Sequence, residues 1–276
     1  SNSISGCPLS EPFEAASPDS SFASPSRKSS SQRASIESSS SLLFDAPSSV
    51  RDAARSFVDS GKVRYTPAPG RPSLRETIAG HLSRTRGVTF EAKEVTVCHS
   101  AKHALSGVIL SLVSEGDEVI LLLPAWVSYF EMVRFAGGEP VAVPCRPDLG
   151  PDLEAIAAAV TENTRGIMIN SPCNPSGYCF TADEMKALCE LCEERDLWIL
   201  SDEIYSRMIY DGTKHESPVT YGDDARSRTI IVDGASKAFA MTGYRIGSTG
   251  IDSWIRQALP LVINNPKSLK TVIVFI

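Results

Sequence analysis

The chain has 276 residues, 42% of them hydrophobic, and a formal net charge of −6. That suits one large domain with its own core and room for a small second one. An acidic balance without a basic stripe argues against nucleic acid as the main partner. No apolar run reaches the roughly 20 residues a membrane helix needs, so no membrane association is expected.

Residues 1–41 are serines interrupted by prolines, as in SFASPSRKSSSQRASIESSSS. Such a segment buries too little surface to offset its ordering entropy and is expected to be disordered. Arg27, Lys28 and Arg33 raise the possibility of an organellar transit peptide, which Glu11, Glu14, Asp19 and Glu37 weaken. From Leu42 onward short β-branched runs alternate with helical patterns. The alternation predicts an α/β fold, a three-layer αβα sandwich around a mostly parallel sheet of seven strands. The strands are expected at 95–98, 119–123, 140–143, 166–170, 197–201, 229–233 and 245–251.

Between them, Ser73 with Glu76 and Thr181 with Glu184 read as capping boxes, the second with a Phe180–Met185 staple. Met185, Leu188, Cys189 and Cys192 then share one helical face. The Cys189–Cys192 pair has no second pair at zinc-ligand spacing, so it is expected to be core. The chain's seven cysteines are an odd number scattered through predicted elements, and point to a reduced, cytoplasmic setting. Its four histidines form no cluster, and no metal site is expected.

In a parallel sheet ligands bind beyond the carboxyl ends of the strands. After the first strand, Ser100, Ala101 and Lys102 open a helix with small residues, an anion-site pattern that is weak by itself. Trp126 follows the second strand, where a tryptophan is more often core than a platform for a flat ring. Asn174 sits after the fourth strand in the turn NSPCNPSG, which also fits an ordinary turn. Asp202 ends an apolar run, where a carboxylate needs a cationic partner or serves as a helix N-cap. Lys237, beside Ser236, stands at a buried strand end, where an amine loses solvation for its charge and becomes a usable nucleophile. Arg245 has no acidic neighbour in sequence and suits a phosphate. One ligand answers all of these: an aldehyde for Lys237, a ring nitrogen for Asp202, a flat ring for Trp126, a ring oxygen for Asn174 and Tyr205, and a phosphate for Arg245. Pyridoxal 5′-phosphate (PLP) has these groups.

The stretch GASKAFAMTGYRIG, residues 234–247, resembles the lysine signature of class I, fold type I aminotransferases. YTPAPGRPSLR, HSAKHAL, GDEVILLLPAWVSYFEMVRFAGG, NSPCNPSG and LSDEIY resemble further landmarks in the family's order, nearest to bacterial-type aspartate aminotransferases, some of which also use prephenate. The resemblance implies an enzyme, a transaminase moving an amino group from aspartate or a similar acidic amino acid to a 2-oxo acid. It implies that Lys237 holds PLP and carries the proton. Asp202 would keep the pyridine nitrogen protonated, Asn174 and Tyr205 would bond the ring oxygen, and Trp126 would stack. Arg245 and the Ser100–Lys102 turn would take the phosphate, with Tyr65 reaching over from the second subunit of a homodimer. Lys102 would meet the substrate's distal carboxylate.

The resemblance covers roughly residues 43–256 and places a PLP-binding large domain at 42–263, followed by an atypical tail at 264–276. The family's small C-terminal domain, with its arginine for the α-carboxylate, is expected to be largely absent, and a substrate-contacting glycine before FDAP is missing. The alternatives are a non-catalytic PLP-binding fragment and a PLP enzyme acting on aromatic or neutral amino acids.

Overall fold

The structure is a computed structural model that describes residues 45–62 and 64–243 and the backbone of 273–275. The chain divides into two units, Ser1–Leu43 and Phe44–Ile276, and every described residue belongs to the second. The segment 1–41, expected to be disordered, lies outside the described residues.

Six strands fall where the β-branched runs predict them: β1 (Val95–Val97), β2 (Glu118–Leu123), β3 (Glu139–Pro144), β4 (Thr164–Asn170), β5 (Trp198–Asp202) and β6 (Thr229–Val232). The expected strand at 245–251 lies outside the described residues. The seventh strand of the sheet is instead β7 (Ile273–Phe275), from the tail that had no counterpart in the resemblance. The order is β1-β7-β6-β5-β4-β2-β3, and every pairing is parallel.

Neighbouring side chains on a strand point to opposite faces, and both faces of this sheet are covered. Val119, Leu121, Met168, Leu200 and Val232 pack under α3 (Ala101–Leu112) and α4 (Ser128–Phe135). Ile120, Ile167, Ile169 and Ile199 pack under α5 (Leu153–Ala159) and α6 (Ala182–Glu194) on the other side. A third cluster joins α2 (Pro72–Arg86) to Val95 and Ile231. The short α7 (Asp223–Arg228) leads into β6, and α1 (Ser48–Asp59) precedes α2 without burying a residue. This is the αβα sandwich that the alternation predicted. It is packed closely enough that a Cβ on Gly166 would run into the Trp198 indole.

Local signals decide most helix ends. Thr181 caps α6, accepting from the Glu184 amide while the Glu184 carboxylate accepts from the Thr181 amide. Gly137, at φ +91°, ends α4. The Ser73 box does not form. Pro72 takes the first helical position, for which its fixed φ suits it, so Arg71 is the N-cap and Ser73 lies inside the helix.

Candidate active site

The parallel register brings Asn170 beside Asp202 and Asp202 beside Val232, so three strands end in line. Beyond those ends opens a cavity of about 450 Å³. Eight of the ten residues named from the sequence line it. The exceptions are Arg245, outside the described residues, and Tyr65, which is 96% exposed and is not part of the wall.

Each wall residue is delivered by a strand or helix end. Ser100 is the N-cap of α3, its hydroxyl accepting from the His103 amide at 3.2 Å. That leaves the first-turn amides of Ala101 and Lys102 without an intrahelical acceptor. The Lys102 ammonium lies over the Trp126 ring, 4.8 Å from its centroid, and Trp126 meets Tyr129 edge-on at 5.4 Å. Asn170 accepts from the Asn174 amide at 2.7 Å and donates to the Asp202 carbonyl at 2.8 Å, tying the NSPCNPSG turn to β5. Asn174 in turn donates to the Tyr205 hydroxyl at 3.3 Å. Lys237, on the short helix α8 (Ala235–Ala238) after β6, points its ammonium over the Tyr205 ring at 5.7 Å. It is half-buried, less enclosed than a buried strand end implied, because the cavity lies against it.

Asp202 differs from expectation in its partners. It is buried, yet among the described residues no cation pairs with it. Its Oδ2 accepts from the Tyr129 hydroxyl at 2.6 Å and its Oδ1 from the Ile204 amide at 3.2 Å. The second bond makes it the cap of a turn, close to the N-cap alternative. Burial pushes its carboxyl up to about 6, against the two hydrogen bonds, which favour the charged form. Burial and the nearby Asp202 charge likewise raise the Tyr205 phenol, though its bond from Asn174 acts the other way. A buried carboxyl in the wall of the same cavity as a lysine, whose charged form lacks a positive partner among the described residues, is therefore placed to stabilise a protonated nitrogen.

Tyr129 and Asn170 were not picked out from the sequence. A readable signal existed for Asn170, the polar end of an apolar strand. For Tyr129 none did, since it looks like any aromatic in an amphipathic helix.

The aminotransferase class I and II family model matches residues 38–270. A probable aspartate/prephenate aminotransferase of Thermus aquaticus is 45% identical over 206 residues, 74% of this chain and 53% of its own length. The aspartate aminotransferase of Geobacillus stearothermophilus is 42% identical over 208 residues, 74% of this chain and 52% of its own. Among solved structures, the Thermus thermophilus aspartate aminotransferase with maleate superposes with a TM-score of 0.72 at 38% identity, covering 83% of this chain and 60% of that one. The chain belongs to the class I and II aminotransferase family. It spans about half the length of the curated relatives it matches.

Proposed function

We propose that this chain carries the cofactor-binding layer, residues 42–263, of a PLP-dependent aminotransferase that transfers an amino group from aspartate or a similar acidic amino acid to a 2-oxo acid. The observation that carries the reading is Asp202, a buried carboxyl without a cationic partner among the described residues, in the wall of the same cavity as Lys237. A pyridine nitrogen that keeps its proton would supply the missing charge.

The remaining residues fit the same molecule. Lys237 would hold the cofactor through its amine and, once displaced by the substrate's amine, take the proton from the substrate Cα. Asn174 and Tyr205, already joined, would bond the ring oxygen. Trp126 would lie against the ring, and the bare amides of Ala101 and Lys102, with Ser100 and Arg245, would receive the phosphate. When bound, PLP supplies the electron sink that makes the Cα proton acidic. Tyr129 would keep Asp202 ionised and aimed. Tyr65, being exposed, would serve the cavity of a second copy in a homodimer.

An acidic substrate is supported by Lys102, whose ammonium reaches the cavity over Trp126. The aspartate aminotransferases among its relatives, and a structural neighbour with maleate, a dicarboxylate, point the same way.

The test is to add PLP to the purified chain, look for a yellow absorbance band, reduce with borohydride and locate the pyridoxyl label. We expect it on Lys237 and absent from Lys237→Ala. Aspartate is expected to bleach the band, with 2-oxoglutarate restoring it. A label elsewhere, or a band indifferent to aspartate, would reject the assignment of Lys237 or of the substrate respectively.

A further inference from the structure

Outside the cavity's lining residues a second set of charges is buried. Arg86, the last residue of α2, lies between two carboxylates. Its Nη2 is 2.7 Å from Glu203 Oε2 and 3.0 Å from Asp233 Oδ2, and its Nε donates to the same Glu203 oxygen at 2.8 Å. The three side chains are 5%, 0% and 5% exposed. Glu203 Oε1 accepts from the hydroxyls of Ser201 and Ser217 at 3.0 and 2.6 Å, and His215 Nε2 stands 3.1 Å from its Oε2. Asp233 accepts from the Gly234 amide at 2.7 Å.

The two carboxylates are placed where the reacting groups begin. Glu203 follows Asp202 directly and donates its amide to the Val232 carbonyl at 2.7 Å, and Asp233 opens the turn that carries Lys237. One guanidinium therefore ties the tail of β5 to the tail of β6. Without it two buried carboxylates would face each other with only His215 beside them, and the tails would be driven apart.

We propose that Arg86 is a positioning residue: by bridging Glu203 and Asp233 it fixes the separation and orientation of the Asp202 carboxylate relative to the Lys237 amine. The inference rests on the reading of Asp202 and Lys237 given above, and goes beyond it by assigning a role to a helix end that does not line the cavity. An ion pair that only held the fold together would lower stability and leave the bound cofactor's properties alone. A positioning bridge would change both.

The experiment uses the full chain and PLP as probe. Arg86→Lys keeps the charge and loses the two-pronged bridge. Arg228→Lys, at an ion pair remote from the cavity (2.6 Å to Asp224), controls for general destabilisation. Each folded protein is titrated with PLP, and the pH midpoint of the yellow band is recorded. For Arg86→Lys we expect PLP binding about tenfold weaker, the scale of a lost hydrogen bond between charged groups, together with a displaced midpoint. Arg228→Lys should lower the Tm alone. Binding within about twofold of the parent and an unmoved midpoint in Arg86→Lys would overturn the proposal while leaving the functional reading intact. A parent chain with no yellow band would reject that reading, and this inference with it. Should Arg86→Lys fail to fold, Glu203→Gln, which keeps most of the hydrogen bonds, decides by the same two readouts.

Discussion

Tyr129 donates a 2.6 Å hydrogen bond to Asp202 from 73 residues away in the chain, and it is the shorter of the two bonds that hold this carboxylate. Since hydrogen bonds to an ionised acceptor favour the ionised form, Tyr129→Phe should raise the Asp202 carboxyl further above its value of about 6. PLP binding near neutral pH should weaken about tenfold, and the fold should lose about 1–3 kcal/mol. A PLP titration and a urea unfolding curve of the same variant measure both.

The buried acids set the pH dependence of the chain without cofactor. Burial pushes both Asp202 and Asp233 up to about 6. A carboxyl whose folded value is raised takes up its proton more readily in the folded than in the unfolded state, so its contribution to stability falls as pH rises from about 4 to about 6 and is level above that. Each shift is worth on the order of 3 kcal/mol. Glu203 works in the opposite direction. Burial opposes its charge, but Arg86 and His215 hold it at about 2, so its contribution is complete above about 4.5 and is lost only as pH falls towards 2. Urea midpoints of the apo chain should therefore drop between pH 4.5 and 6.5. In Asp202→Asn that drop should be smaller by about 2 kcal/mol. An unchanged slope in this variant would remove Asp202 from the account.

Helix α6 and helix α2 offer a contrast in capping. Thr181→Ala breaks a complete capping box and should cost about 1 kcal/mol. Ser73→Ala, inside α2 behind Pro72, should be within about 0.5 kcal/mol of neutral. Thermal melts of the two variants check the difference.

The CxxC pair should be inert. Burial raises the thiols of Cys98, Cys189 and Cys192 to about 12, so little thiolate exists at neutral pH. Iodoacetamide on the native chain should leave all three unmodified, and mass spectrometry should find them alkylated only after unfolding. Reductant should not change the melting temperature.

Much of this was open to reading in the sequence because it is governed by near neighbours. The β-branched runs gave six strands. Thr181 with Glu184 announced a helix start, and the face carrying Met185, Leu188 and Cys192 is the buried one. A parallel sheet carries every strand's carboxyl end to one edge, so Ser100, Trp126, Asn174, Asp202 and Lys237 could be gathered at a single cavity from their positions after strands alone. Pro72 misled only because its preference for the first helical position outranks a serine one residue later.

What depended on the tertiary structure involves partners far apart in the chain. Tyr129 on Asp202, the lack of a cation there among the described residues, the seat of Ile273–Phe275 between β1 and β6, and Arg86 reaching Glu203 and Asp233 across 117 and 147 residues have no local signature. Such pairings follow from the order of the strands, and that order is settled by burying both faces of the sheet at once. The residue types that a site needs can be written into short segments, but which of them meet, and with what charge, is decided when the whole sheet closes.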